Sequence, residues 1–139
     1  MPEDEELAEI RARKRRELET ALGRNAAIGP VELTDATFAD FVGGHPVVLV
    51  DFWAAWCAPC RIVAPSVAEI ARDYAERVAV GKVDTDRCPV TSGMFGITAI
   101  PTLLVFRGGR LVEEIVGAVP KARITSVLER WLAAPRNAA

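Results

Sequence analysis

The sequence predicts an α/β fold, a three-layer α/β/α sandwich around a central mixed β-sheet, with an extra N-terminal helix. Three observations predict it. Apolar runs of strand length at Val31–Leu33, Val47–Trp53 and Val78–Val83 alternate with segments whose apolar residues recur at helical spacing, the βαβ pattern of parallel strands. Two further runs, Thr102–Phe106 and Val112–Val116, are joined by Arg107-Gly108-Gly109-Arg110, and Gly-Gly tolerates the positive φ that primed hairpin turns demand. A closing segment from Pro120 places Ile124, Val127, Leu128, Trp131 and Leu132 on one helical face and stops at Pro135.

Residues 1–30 read as a charged helical extension and linker, and 31–139 as the domain. Five acids among the first ten positions precede five bases (Arg11, Arg13, Lys14, Arg15, Arg16), the order that suits a helix dipole. Leu7, Ile10, Leu18, Ala21 and Leu22 make only a sparse apolar stripe, so this helix leans weakly on the domain or stands in solvent. The basic run is read as a solvated face. Asn25–Pro30 has linker composition.

The domain opens with the short strand Val31–Leu33. Thr34 or Asp35 then caps a helix carrying Phe38, Phe41 and Val42, which Gly43-Gly44 ends. His45 is the only histidine and reads as a loop residue, so a Ser-His-Asp or Cys-His catalytic design finds no other base. Asp51 interrupts the apolar strand Val47–Trp53. A carboxyl buried there resists ionisation, and its pKa rises towards neutral pH; the alternative is an exposed acid at a strand end.

Two cysteines follow the strand, in Trp56-Cys57-Ala58-Pro59-Cys60. Val63, Val67, Ile70, Ala71 and Tyr74 then form the stripe of an amphipathic helix, so Cys57 sits on a strand-to-helix turn with Pro59 at the first helical position. Free N–H groups and the positive dipole end favour a thiolate there, which makes Cys57 the expected exposed nucleophile and Cys60 the resolving thiol. Pro65 is expected to kink this helix and confine the chemistry to its first turn. Cys88, the odd cysteine, follows a polar turn and is read as an uninvolved thiol. Pro101, first in its strand, is compatible with an edge position or a cis bond.

These motifs resemble those of the thioredoxin family. Asp51-Phe52-Trp53, Trp56-Cys57-Ala58-Pro59-Cys60 and Ile100-Pro101-Thr102 occur in the family's order, with Ala58 for the usual glycine; the resemblance covers roughly residues 31–134. It implies a thioredoxin fold and a thiol-disulfide oxidoreductase that reduces protein disulfides through Cys57 and Cys60. It also implies that Asp51 lies beneath Cys60 and exchanges its proton, with Lys82 nearby; alone, Lys82 reads as an ordinary strand lysine. Ile100–Pro101 is expected to be cis against the cysteines. Pro101 would keep metal off the dithiol, and the Ile100 backbone would pair with substrate. Trp56, Pro59, Ile100 and Gly117 would form an apolar rim, although Trp56 could equally be core and Gly117 a strand terminator. The implied partners are a thioredoxin reductase and disulfide-containing clients, with no cofactor held by the chain itself, and the protein is expected to be monomeric.

Composition narrows the alternatives. A length of 139 residues, half of them hydrophobic, fits one domain with a real core. The net charge of −2 argues against a dedicated nucleic-acid binder. Met1–Glu6 is acidic where a secretory signal would be basic, and no apolar run approaches the roughly 18 residues of a membrane helix. A cytoplasmic setting without membrane contact is expected. Two rival readings are an oxidant or isomerase, and a zinc module joining Cys57 and Cys60 to Cys88 or His45. A lone CxxC is weak support for zinc, because closed zinc sites use a second ligand pair.

Overall fold

The structure, a computed structural model, describes residues 5–16 and 29–135. Residues 5–16 form a helix, α1, whose side chains are exposed apart from half-buried Ala12. The expected continuation of that helix through Leu18, Ala21 and Leu22, and the linker positions before Gly29, lie outside the described residues. The domain then runs β1 (Val31–Leu33), α2 (Phe38–Gly43), β2 (Val47–Trp53), α3 (Ala58–Asp73), β3 (Ala79–Asp84), α4 (Pro89–Met94), β4 (Thr102–Arg107), β5 (Arg110–Val116) and α5 (Lys121–Ala133).

The five strands lie in the order β1-β3-β2-β4-β5. β1, β3 and β2 are mutually parallel, and β4 and β5 are antiparallel to their neighbours. The mixed sheet follows from connection length: helical crossovers return the chain parallel, whereas the two-residue turn at Gly108 (φ 58°) and Gly109 (φ 81°) can only reverse it.

β2 is central and buried on both faces. Its odd positions Val47 and Leu49 pack with Val63, Val67 and Ile70 of α3 and Ile124 and Leu128 of α5. Its even positions Val48, Val50 and Phe52 pack with Phe38 and Val42 of α2 and with Cys88 and Phe95 around α4. Burying each such side chain stabilises the fold by roughly 1.5–3 kcal/mol. A slip of one residue would exchange the two faces, so the register that carries Asp51 is fixed by its neighbours. Gly81 of β3 serves the same layer, since a Cβ there would lie 2.6 Å from Leu33 Cδ1.

Element ends differ from the sequence reading in small ways. α3 begins at Ala58, so Pro59 is its second residue, still in the first turn where a missing N–H is harmless. The helix continues for two turns past Pro65 as one element. α2 begins at Phe38, preceded by a turn in which Thr34 and Thr37 exchange backbone-to-side-chain hydrogen bonds of 2.9 and 3.1 Å. Asp35 caps a different helix: its carboxylate accepts from the Thr91 N–H at 2.8 Å and the Thr91 hydroxyl at 2.6 Å, at the start of α4. Cys88, which precedes α4, has no side-chain cap bond of its own.

Candidate functional site

Cys57 is the N-cap of α3, with extended backbone (φ −92°, ψ 109°). Its N–H donates to the Ala54 carbonyl at 3.1 Å. Its sulfur accepts from the Cys60 N–H at 3.2 Å, a place usually filled by a serine or threonine oxygen. Cys57 and Cys60 are joined by a disulfide, with Cα atoms 5.3 Å apart. The first turn of the helix thus holds both sulfurs in bonding reach and offers N–H groups to the one at position 57. A thiolate released there by reduction meets a positive helix end.

The expectation of an exposed Cys57 needs correction. Cys57 is 4% exposed and Cys60 3%, packed with Ala54, Trp53 and Ile100. Ile100 is the distant neighbour in this packing, its carbonyl oxygen 3.7 Å from Cys57 Sγ. The Ile100–Pro101 peptide is cis, and Pro101 directly precedes β4, an interior strand that begins at Thr102, so the expected edge position does not apply. The Gly117 N–H, at φ +98°, donates to the Pro101 carbonyl at 2.9 Å and brings the end of β5 to the same spot. Trp56 is not core: it is 69% exposed, and its indole N–H donates to Asp86 at 3.0 Å. Trp56 and Pro59 are exposed while Ile100 and Gly117 are half-buried, so a mostly apolar rim surrounds recessed sulfurs.

Behind the disulfide lies Asp51, 1% exposed, whose Oδ1 has no hydrogen-bond partner among the described residues. Burial pushes its pKa up to about 6, and the Lys82 ammonium partly opposes the rise. Lys82 is paired with Asp51 across β3 and β2, and its ammonium stands 4.5 Å from the centre of the Trp53 ring. A cleft of about 210 Å³ lined by Asp51, Trp53, Cys60, Arg61, Ala64 and Lys82 joins the carboxyl to Cys60. A sulfur that ionises at Cys60 therefore has a carboxylate of near-neutral pKa on the same cleft.

The family model described as Thioredoxin matches residues 29–130. The chain belongs to the thioredoxin family. A thioredoxin of Synechocystis is 49% identical over 102 residues, covering 73% of this chain and 95% of that protein. Thioredoxin 1 of Nostoc is 50% identical over 102 residues, with the same coverage. A chloroplastic M-type thioredoxin of Chlamydomonas reinhardtii is 48% identical, covering 72% of each chain. Among solved structures, a thioredoxin point mutant from Halobacterium salinarum superposes with a TM-score of 0.73 at 29% identity, covering 78% of this chain and 96% of that one. With its Cys57–Cys60 pair, this thioredoxin-family member is a thiol-disulfide oxidoreductase and protein-disulfide reductase.

Sequence reasoning missed Asp86, Arg61, Ala64 and the contact of Lys82 with Trp53. Asp86 lies 30 residues from Trp56, and no local pattern joins them. Ala64 is visible once Cys60 is placed in the first turn of α3, because i+4 shares its helix face, whereas Arg61 at i+1 carries no such signal. Among the described residues no three His, Cys, Asp or Glu side chains cluster as metal ligands. Cys88 lies on the opposite sheet face from Cys60, and its thiol donates to the Leu33 carbonyl at 3.5 Å.

Proposed function

We propose that Cys57 is the nucleophile and Cys60 the resolving thiol of a disulfide-reducing cycle. In the reduced protein the Cys57 thiolate attacks one sulfur of a client disulfide, forming a mixed disulfide and expelling the other client sulfur as thiolate. Asp51 takes the Cys60 proton. Cys60 then attacks Cys57, which releases the second client sulfur and restores the Cys57–Cys60 disulfide. Lys82 steadies the ionised Asp51 during that step. Trp56, Pro59, Ile100, Pro101 and Gly117 receive the client, whose extended backbone pairs with Ile100. The observation that carries this reading is the disulfide at the start of α3 with a buried carboxyl on the same cleft.

Electrons reach the chain from a thioredoxin reductase, which makes it a carrier in electron transport to disulfide-containing clients. It acts in the cytoplasm as a monomer, with residues 1–30 an extension to the domain 31–139. Among the described residues no helix is long and apolar enough to cross a membrane. Some relatives are named as chloroplastic, so the reductase and compartment are tested together by which reductase reduces the purified chain.

Trapping tests the roles. Cys60→Ser should accumulate a mixed disulfide between Cys57 and a model client, identified by mass, and Cys57→Ser should form none and lose turnover. Turnover in either variant contradicts the assignment.

A further inference from the structure

The β-sheet register places three charged side chains in one row. Glu32 of β1 is paired with Lys82 of β3, and Lys82 is paired with Asp51 of β2. Registered partners point to the same face, here the one covered by α3. All three line a second cleft, of about 480 Å³, that runs from Pro30 at the sheet edge beneath Ala64 and Ala68. The small alanines leave room for a cleft beside the row. Asp51 is its buried end and Glu32 its exposed end, with Lys82 half-buried between.

We propose that Glu32 is a positioning residue for the Asp51 proton step, sharing Lys82 with Asp51 and thereby tightening the hold of Asp51 on its proton. The Lys82 ammonium stands over the Trp53 ring and makes no ion pair within 4.0 Å with either carboxylate, so neither holds it exclusively. Glu32 acts on Asp51 twice in one direction: as a like charge, and as a rival for the cation that favours ionised Asp51. The other charged or titratable groups facing the row are Arg61 and Cys60 of α3, while β4 places apolar Leu103 opposite Asp51. Arg61 opposes Glu32 but sits on the helix, outside the row.

The kinetic consequence rests on the proton role proposed for Asp51, whereas the titration does not. Carbon NMR of the Asp51 carboxyl in the oxidised full-length protein reads the titration directly. Two strand spacings separate Glu32 from Asp51, roughly 10 Å, so removing its charge should lower the Asp51 midpoint by about 0.3 pH unit even at the dielectric of water. Glu32→Gln should show that shift, Glu32→Lys about twice as much, and Glu32→Asp should restore most of the wild-type value. Unchanged midpoints in both the Gln and Lys variants, or an upward shift, would overturn the proposal. The pH profile of mixed-disulfide resolution, measured alongside, should move with the titration. If the midpoint moves and the profile does not, Glu32 keeps its place and the proton role of Asp51 fails.

Discussion

Asp51 offers a stability test that needs no client. Asp51 is 1% exposed, one of its carboxyl oxygens has no hydrogen-bond partner among the described residues, and burial pushes its pKa from 3.8 up to about 6. The folded protein therefore holds a proton that the unfolded chain has already released, throughout the window from about pH 4 to pH 6. Where the native state binds more protons, stability falls as pH rises. This group thus favours folding fully below about pH 4, and the advantage is lost as pH climbs through 6. The rise in pKa corresponds to about 3 kcal/mol across that window. Asn at position 51 keeps the shape and cannot ionise. Urea denaturation of the oxidised wild type and of Asp51→Asn should be followed from pH 3.5 to 7.5. The difference in unfolding free energy should shift by about 3 kcal/mol in favour of the variant between pH 4 and 7, then level off. Taking the difference cancels the other carboxylates and any constant cost of the amide. A flat difference curve would refute the buried, proton-holding Asp51.

Two other positions give independent checks. Gly117 has φ +98° with no atom within 4 Å of where a Cβ would stand, so its substitution meets backbone strain and no clash. Gly117→Ala should therefore cost about 1–3 kcal/mol in urea unfolding, and a loss under about 0.5 kcal/mol would contradict the strain argument. Cys88 is 2% exposed, and burial raises its pKa. An alkylating reagent should label it in the native oxidised protein far more slowly than a free model thiol, and fully in denaturant. Native labelling at the free-thiol rate would show that the thiol is accessible.

The sequence made the strands legible because both faces of β2 are buried, so Val47–Trp53 is a continuous apolar run whose lone carboxyl stands out. Cys57 and Cys60 were equally plain, since a separation of three residues places both at one helical turn. The hairpin could be read from Gly108-Gly109, where two successive positive φ angles leave little other choice. What escaped was contact between distant segments. The packing around Cys57 includes Ile100, 43 residues away, which the local pattern at the cysteines does not reveal. Neither Thr34 nor Asp35 caps α2: its N-cap is Thr37, without a side-chain cap bond, while Thr34 bonds Thr37 in the preceding turn and Asp35 accepts from Thr91 of α4. Lys82 reads alone as an ordinary strand lysine and only the family resemblance set it near Asp51; the register adds Glu32 on its other side.

The central claim, that Cys57 and Cys60 interconvert as an electron-donating pair, is met most directly by their midpoint potential against a glutathione redox series. The account predicts a reducing value about −270 mV, a figure that belongs to thioredoxins in general and is not worked from this geometry. A potential about −180 mV, where disulfide isomerases lie, would contradict it.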